Sequence, residues 1–389
     1  MTIAFFDLYV YLLFISLFKA YFVPTAVRQA IKIVALILMA FFLIKRLKKK
    51  DVFNGSLLFA TCIIISGLYN YILNKYTIKA LLDSFLYALS FYDLYTIFLY
   101  ANKKGLIKRL ECDLYKINLL YCLLTVASVL VVGVDNNSNV SAYLFGNKFT
   151  SSYLFISLIA LYGVSHDMNL KMYRRRWLML VIVGCAFTIY VGCATATVSL
   201  ASAVLLFSIE KKIHGRIIQN PIVIVGILIG TAIIPFVINF VLKNDFVNYI
   251  IFDLFHRSST VYGRFEIYNN YLYELIQSRV WFGYGYSNGV MLSVSGVFGN
   301  AQNGLLEQMM NYGIIGVVAI LITVFYALRK KQGLSYMVIL LYAMIVAAIF
   351  EVTINWFFWI AVFSIQYSNK EEMGDIINEK SYDIVNARS

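Results

Sequence analysis

Two arginines, Arg257 and Arg264, stand seven residues apart in a stretch that also carries His256, Glu266 and, further on, Gln302, Asn303 and Glu307. Residues 258–278, SSTVYGRFEIYNNYLYELIQS, read as an amphipathic helix opened by a Ser/Thr cap. On that helix Arg264 falls with Ile267, Tyr268, Tyr271 and Leu275, whereas Glu266, Asn270, Glu274 and Gln277 fall on another face. A helix that begins early enough to include Arg257 aims that second guanidinium almost the same way, unless Gly263 breaks it first. A cation on an apolar face is costly without an anion beside it. Two anions suit it: lipid phosphates at headgroup level, which would make the arginines anchors, or a diphosphate substrate, which the planar, permanently charged guanidinium fork fits better than lysine does.

The residues that follow have chemistry of their own. Trp281-Phe282-Gly283-Tyr284-Gly285-Tyr286 is a glycine-aromatic turn, suited to anchoring at an interface or to stacking on a sugar ring. Gln302, Asn303 and Glu307 lie where a long apolar helix begins, and free backbone N–H groups and the helix dipole favour an anion there. His256 precedes Arg257; a lone loop histidine is more often a surface residue than a proton carrier, and the neighbouring arginine favours the second reading only modestly. Three carboxylates sit among apolar runs: Asp83, one turn from Lys79; Asp93, with no local partner; and Glu351, which could reach the same place as the loop.

What must position these residues is a membrane protein. Of 389 residues, 61% are hydrophobic and only 14% charged, where soluble domains run near ~45–50% and ~25%. Thirty Phe and thirty Tyr exclude a disordered chain, and three Pro suit long unbroken helices. Apolar runs at 3–18, 29–44, 55–73, 78–101, 112–134, 149–165, 177–192, 194–209, 221–242, 304–328, 334–350 and 353–367 give twelve candidate spans. The pair at 177–209 is divided only by Cys193. The N-terminal run has neither a basic leader nor a small-residue cleavage site, and is expected to be a retained first span.

The net charge of +13 comes in short clusters between spans rather than along one face, which speaks for the membrane and against nucleic acid. With the first terminus inside, 23 of the 33 Lys and Arg residues fall on the cytoplasmic side, so both termini are expected there. The chain then divides into spans 1–9 over residues 1–242, one large external loop at 243–303, spans 10–12 over 304–367 and a polar cytoplasmic tail at 368–389. A transporter that rocks two repeats seldom needs such a loop, whereas an enzyme working at the outer membrane surface does. The five cysteines show no CxxC and no histidine at ligand spacing, so neither a disulfide framework nor a metal site is expected.

The order Arg257, Gly263-Arg264, Phe282-Gly283-Tyr284-Gly285, Ala301-Gln302-Asn303-Gly304-Leu305-Leu306-Glu307 and Gly313-Ile314-Ile315-Gly316 resembles the bacterial O-antigen ligase and Wzy-type polysaccharide polymerase superfamily. The motif part covers residues 257–316 and the topology covers the rest. The resemblance implies an all-α integral membrane protein of about 12 transmembrane helices, GT-C-like, with one large external loop containing an amphipathic helix. It implies a glycosyltransferase of the bacterial cytoplasmic membrane, independent of metals and cofactors. Such an enzyme moves a growing glycan from undecaprenyl diphosphate to a lipid-linked repeat unit, with a flippase and a chain-length regulator as partners. Arg257 and Arg264 would then stabilise the leaving diphosphate, and Gln302, Asn303, Tyr284, Tyr268 and Trp281 would bind substrate. Where the family pattern often has His this chain has Gln302, which cannot take a proton. Either His256, Glu266 or Glu307 is the base, or the transfer needs little help from one. A ligase of the same superfamily, or a lipid-linked oligosaccharide flippase, shares the composition.

Overall fold

The computed structural model describes residues 3–18, 23–46, 55–73, 75–134, 143–213, 217–241, 264, 266–329 and 334–367, and among them there is no strand. Among the described residues, nine helices precede the large loop: α1 Ile3–Leu17, α2 Thr25–Arg46, α3 Gly55–Ile72, α4 Ile78–Lys104, α5 Ile107–Val132, α6 Lys148–Ser165, α7 Lys171–Tyr190, α8 Ala194–Ile213 and α9 Pro221–Val241. Within the loop come a π-helical turn, Ile267–Leu272, and two six-residue helices, α10 Tyr273–Ser278 and α11 Val290–Ser295. Helices α12 Gly304–Leu328, α13 Met337–Ala347 and α14 Trp356–Tyr367 complete the fold.

Each of the twelve apolar runs is thus a helix, but the ends differ for a physical reason. α5 starts at Ile107 and α7 at Lys171, five and six residues before their apolar runs, because Lys108, Arg109 and Arg174–Arg176 extend a helix as readily as leucine does. At the other end of the chain the runs overshoot: residues 348–350 and 353–355, counted into spans, belong with 351–352 to a turn between α13 and α14. The division at Cys193 is real, with Gly192 in the left-handed region (φ 66°) ending α7. Among the described residues four segments, Gly55–Ile72, Ile107–Val132, Ala194–Lys211 and Gly304–Leu328, are long and apolar enough to cross a membrane.

α13 and α14 form the axis of the bundle, with Trp359, Phe358 and Phe363 fully buried. α6, α8, α12 and α4 pack around them, while α3 lies against both α4 and α12. The outward faces of α5, α7 and α9 carry large exposed apolar side chains such as Leu130, Val131, Ile182 and Ile222. A row of that kind is what a bundle shows when its solvent is lipid. Two carboxylates inside the bundle find partners on other helices: Asp93 accepts from the Tyr9 hydroxyl of α1, and Glu111 accepts from Ser364 of α14 at 2.6 Å. Asp93, without a partner on its own helix, therefore finds one through packing.

The connections sort to two ends. Asp7 pairs with Arg109 and Lys211 meets Tyr336 at one end. At the other, Tyr76 binds the carbonyl of Tyr286 and Arg264 meets Glu351. The described part of the large loop, 264 and 266–303, is therefore folded down onto the connections α3–α4 and α13–α14, at the end opposite Arg109 and Lys211.

Candidate functional site

The loop helix has the two faces its sequence implies. Ile267, Tyr268, Leu272 and Leu275 are buried, while Glu266, Asn270, Glu274 and Gln277 are exposed. Its first part differs from the α-helix that the pattern suggests, since Ile267–Leu272 winds as a π-helical turn. The extra residue in that turn brings Leu272 to the buried face along with Ile267 and Tyr268. Arg257, His256 and the Ser258–Thr260 cap lie outside the described residues.

Arg264 extends from the buried side of this helix to the turn at 348–355. Its Nη2 donates to Glu351 Oε1 at 2.8 Å, the two side chains being 19% and 10% exposed. The guanidinium carbon also lies 5.3 Å from the ring centroid of Phe350. Its Nε is buried with no hydrogen-bond partner among the described residues. Arg264 thus has an anion beside it, as its place on an apolar face requires, yet keeps one unused donor. Burial pushes the Glu351 carboxyl up to about 7, against the pull of Arg264 and Lys148, both of which favour its charged form.

The turn that carries Glu351 is held rigidly. Asn303 is fully buried at the head of α12, where its Oδ1 accepts from the N–H groups of Leu305 (3.1 Å) and Leu306 (3.0 Å). Its Nδ2 donates to the carbonyls of Thr231 in α9 (2.8 Å) and Ile349 in the turn (3.2 Å). Gly304 N donates to Ala348 O at 2.7 Å, and Thr353 Oγ1 donates to Met344 O at 2.7 Å. Asn303 therefore caps one helix and ties it to two other elements, and all its side-chain hydrogen-bonding capacity is engaged in doing so.

Gln302 sits beside it with a left-handed backbone (φ 50°), which costs a non-glycine residue energy and is sustained here by its neighbours. Its N–H and its Nε2 both donate to Asn300 Oδ1, and its carbonyl accepts from the Tyr268 hydroxyl at 2.9 Å. Tyr268, whose hydroxyl burial pushes to still higher pKa, thereby joins the loop helix to the entry of α12. Glu307 turns away from the solvent: its Oε2 accepts from Ala301 N (2.8 Å) and its Oε1 from Asn311 Nδ2 (3.1 Å), and Asn311 in turn accepts from Asn288 (2.8 Å). The geometry brings Arg264, Glu351, Tyr268 and the Gln302–Asn303 corner together. Glu266 is on the opposite face of the loop helix, and Glu307 is used as a brace.

The glycine-aromatic turn has a structural explanation that its sequence did not supply. At Gly313 (φ 65°) α12 leaves helical geometry, and the freed backbone groups are taken up by the loop. Ile314 N donates to Val280 O (2.7 Å), Tyr284 N to Met310 O (2.9 Å) and Gly285 N to Asn311 O (2.7 Å). A Cβ on Gly313 would strike the Trp281 carbonyl, and one on Gly283 would strike the backbone of Met310 and Asn311. From α3, Ser66 Oγ donates to Phe282 O at 2.5 Å and Asn70 Nδ2 to Gly283 O at 3.1 Å. The two glycine motifs are therefore halves of one joint. The Trp281 ring is left 64% exposed, and the Tyr284 ring lies 4.8 Å from the Arg279 guanidinium.

Sequence reasoning missed the contribution of α6. Tyr153 is 3% exposed, its hydroxyl has no hydrogen-bond partner among the described residues, and it lies within electrostatic reach of both Glu351 and Arg264. No local pattern marks it, because the residues it faces are more than a hundred positions away. No family model, no characterised protein and no solved structure matches this chain.

Proposed function

We propose that the chain is a polysaccharide polymerase of the Wzy-type superfamily. It would span the bacterial cytoplasmic membrane twelve times with both termini inside. It would transfer a growing glycan from undecaprenyl diphosphate to a lipid-linked repeat unit at the outer surface, working beside a flippase and a chain-length regulator. The observation that carries the reading is Arg264: a guanidinium on the buried face of the loop helix, at the end of the bundle away from the basic clusters, with an unused Nε. Such a group stabilises a departing diphosphate by charge-assisted hydrogen bonds, with no metal needed in the step. The exposed Trp281 ring offers a face on which a sugar can stack.

The test is deletion of the gene followed by examination of surface glycan. Single capped repeat units support a polymerase. Long unattached chains would make the protein a ligase instead, and lipid-linked units trapped inside the cell would make it a flippase. In the polymerase case Arg264→Ala, expressed at parental level, should reduce polymerisation by about 10²–10³-fold, with Arg264→Lys between. Full-length glycan from the Ala variant would remove Arg264 from the chemistry and leave it as a headgroup anchor.

A further inference from the structure

Of the acids near Arg264, one is both buried and unspent. Glu307 has its two oxygens committed to Ala301 and Asn311, and Glu266 faces outward. Among the described residues Glu351 has a single side-chain hydrogen-bond partner, Arg264. It is carried on a turn held by three hydrogen bonds, two from Asn303 and Gly304 at the head of α12 and one from the turn's own Thr353 to Met344 of α13. Within electrostatic reach of the pair, the Tyr153 hydroxyl is buried and has no hydrogen-bond partner among the described residues, and the same holds for Arg264 Nε. Two orphaned polar atoms around one ion pair mark a place where a ligand with hydroxyl and anionic oxygens completes the hydrogen bonding.

We propose that Glu351 is the general base of the transfer, accepting the proton of the acceptor sugar's hydroxyl when Arg264 turns from it to the donor's diphosphate. This rests on the polymerase reading of Arg264. In the step, the acceptor O–H bond breaks and its proton passes to a Glu351 oxygen. The freed oxygen pair forms the bond to the donor's anomeric carbon. The bond from that carbon to the diphosphate breaks, and its electron pair leaves on undecaprenyl diphosphate, which Arg264 holds. Tyr153 is a positioning residue, its hydroxyl aligning the acceptor.

The exchange of partners also times the chemistry. The groups facing Glu351 are Arg264 and Tyr268 from the loop helix, Lys148 and Tyr153 from α6, and Cys193 at the head of α8; α12 meets the turn through Asn303, which does not titrate. Arg264 favours the charged carboxylate, so its departure makes Glu351 a stronger base just as the acceptor docks. In the free enzyme the carboxyl titrates at about 7, and below that pH it is protonated and cannot accept a proton. Turnover at low substrate should therefore fall on the acid side of pH 7, sensed from the outer face.

The experiment pairs two readouts. Binding is measured with undecaprenyl diphosphate as probe on the purified full chain in nanodiscs. Polymerisation is measured in membranes from cells making the repeat unit, across about pH 5.5–8.5. Glu351→Gln should bind the probe at least as tightly as the parent, polymerise about 10²–10⁴-fold less and lose the acid limb. Glu351→Asp, which keeps a carboxylate in case the amide variant folds poorly, should retain a shifted acid limb at reduced rate. Tyr153→Phe should raise the KM for the acceptor and leave the limb in place. A Glu351→Gln protein that polymerises within about threefold of parent with the limb intact would overturn the proposal, leaving Glu351 as a counter-ion only. An Arg264→Ala protein that binds the probe as tightly as parent would instead strike the diphosphate reading, and the exchange of partners with it.

Discussion

Asn303 shows how a single side chain can resemble a binding group and act as a joint. An exposed asparagine at a helix head could meet a substrate, but this one is 0% exposed and bridges α9, α12 and the Glu351 turn. Asn303→Ala should lower stability by about 1–3 kcal/mol, from the lost cap and the carbonyls left without a donor. Asn303→Asp is the sharper test. Aspartate caps a helix as well as asparagine does, yet its carboxylate would face the carbonyls of Thr231 and Ile349 that Nδ2 now serves. Thermal unfolding in detergent should therefore show Asp also destabilised. An Asp variant melting with the parent would mean that the two donated bonds contribute nothing. Glu307 belongs to the same residue-level lesson, since its carboxylate ties Ala301 to Asn311.

At the scale of elements, the break in α12 is what docks the loop. A continuous helix would use the N–H of Ile314 and the carbonyls of Met310 and Asn311 internally; the break at Gly313 offers them to residues 280–285. Gly313→Ala and Gly283→Ala each combine positive φ with a collision against backbone, and should cost more than about 2 kcal/mol. Gly299→Ala, with open space around it and an ordinary backbone, is the matched control. Limited chymotrypsin digestion of the purified protein should cut near Tyr284 and Tyr286 in the first two variants and spare the third. Equal digestion of all three would mean that the joint does not hold the loop. The π-helical turn between Arg264 and α10 is a second element of interest, because such turns store a local irregularity where a side chain must be aimed.

For the whole molecule, the alternation of connections between two ends fits a chain that crosses the membrane repeatedly, and the basic clusters lie at the end away from the large loop. The proposed orientation predicts that, in a background with the five native cysteines replaced, Asn270→Cys reacts with a membrane-impermeant thiol reagent in intact cells while Tyr173→Cys does not. The reverse pattern would invert the topology and remove the outer-surface site with it.

The sequence by itself determined the solvent, the helices and the face of the loop helix on which Arg264 lies. These follow from composition and from hydrogen bonding and side-chain periodicity that operate within a few residues along the chain. Helix limits were less legible, because charged residues such as Lys108 and Arg174 continue a helix past its apolar run, and apolar residues such as Ile349, Phe350 and Ile354 lie in a turn. Only the tertiary structure decided which helices meet. Nearly uniform apolar surfaces do not specify their neighbours; contacts of a few polar groups and close glycine approaches do, as at Ser66, Asn70, Gly283 and Gly313. The pairing of Arg264 with Glu351, 87 residues apart, is a choice of that kind, and so is the arrival of Tyr153 beside them. No periodicity within either segment encodes it, because the partner's position depends on how α6, α12, α13 and the loop pack together.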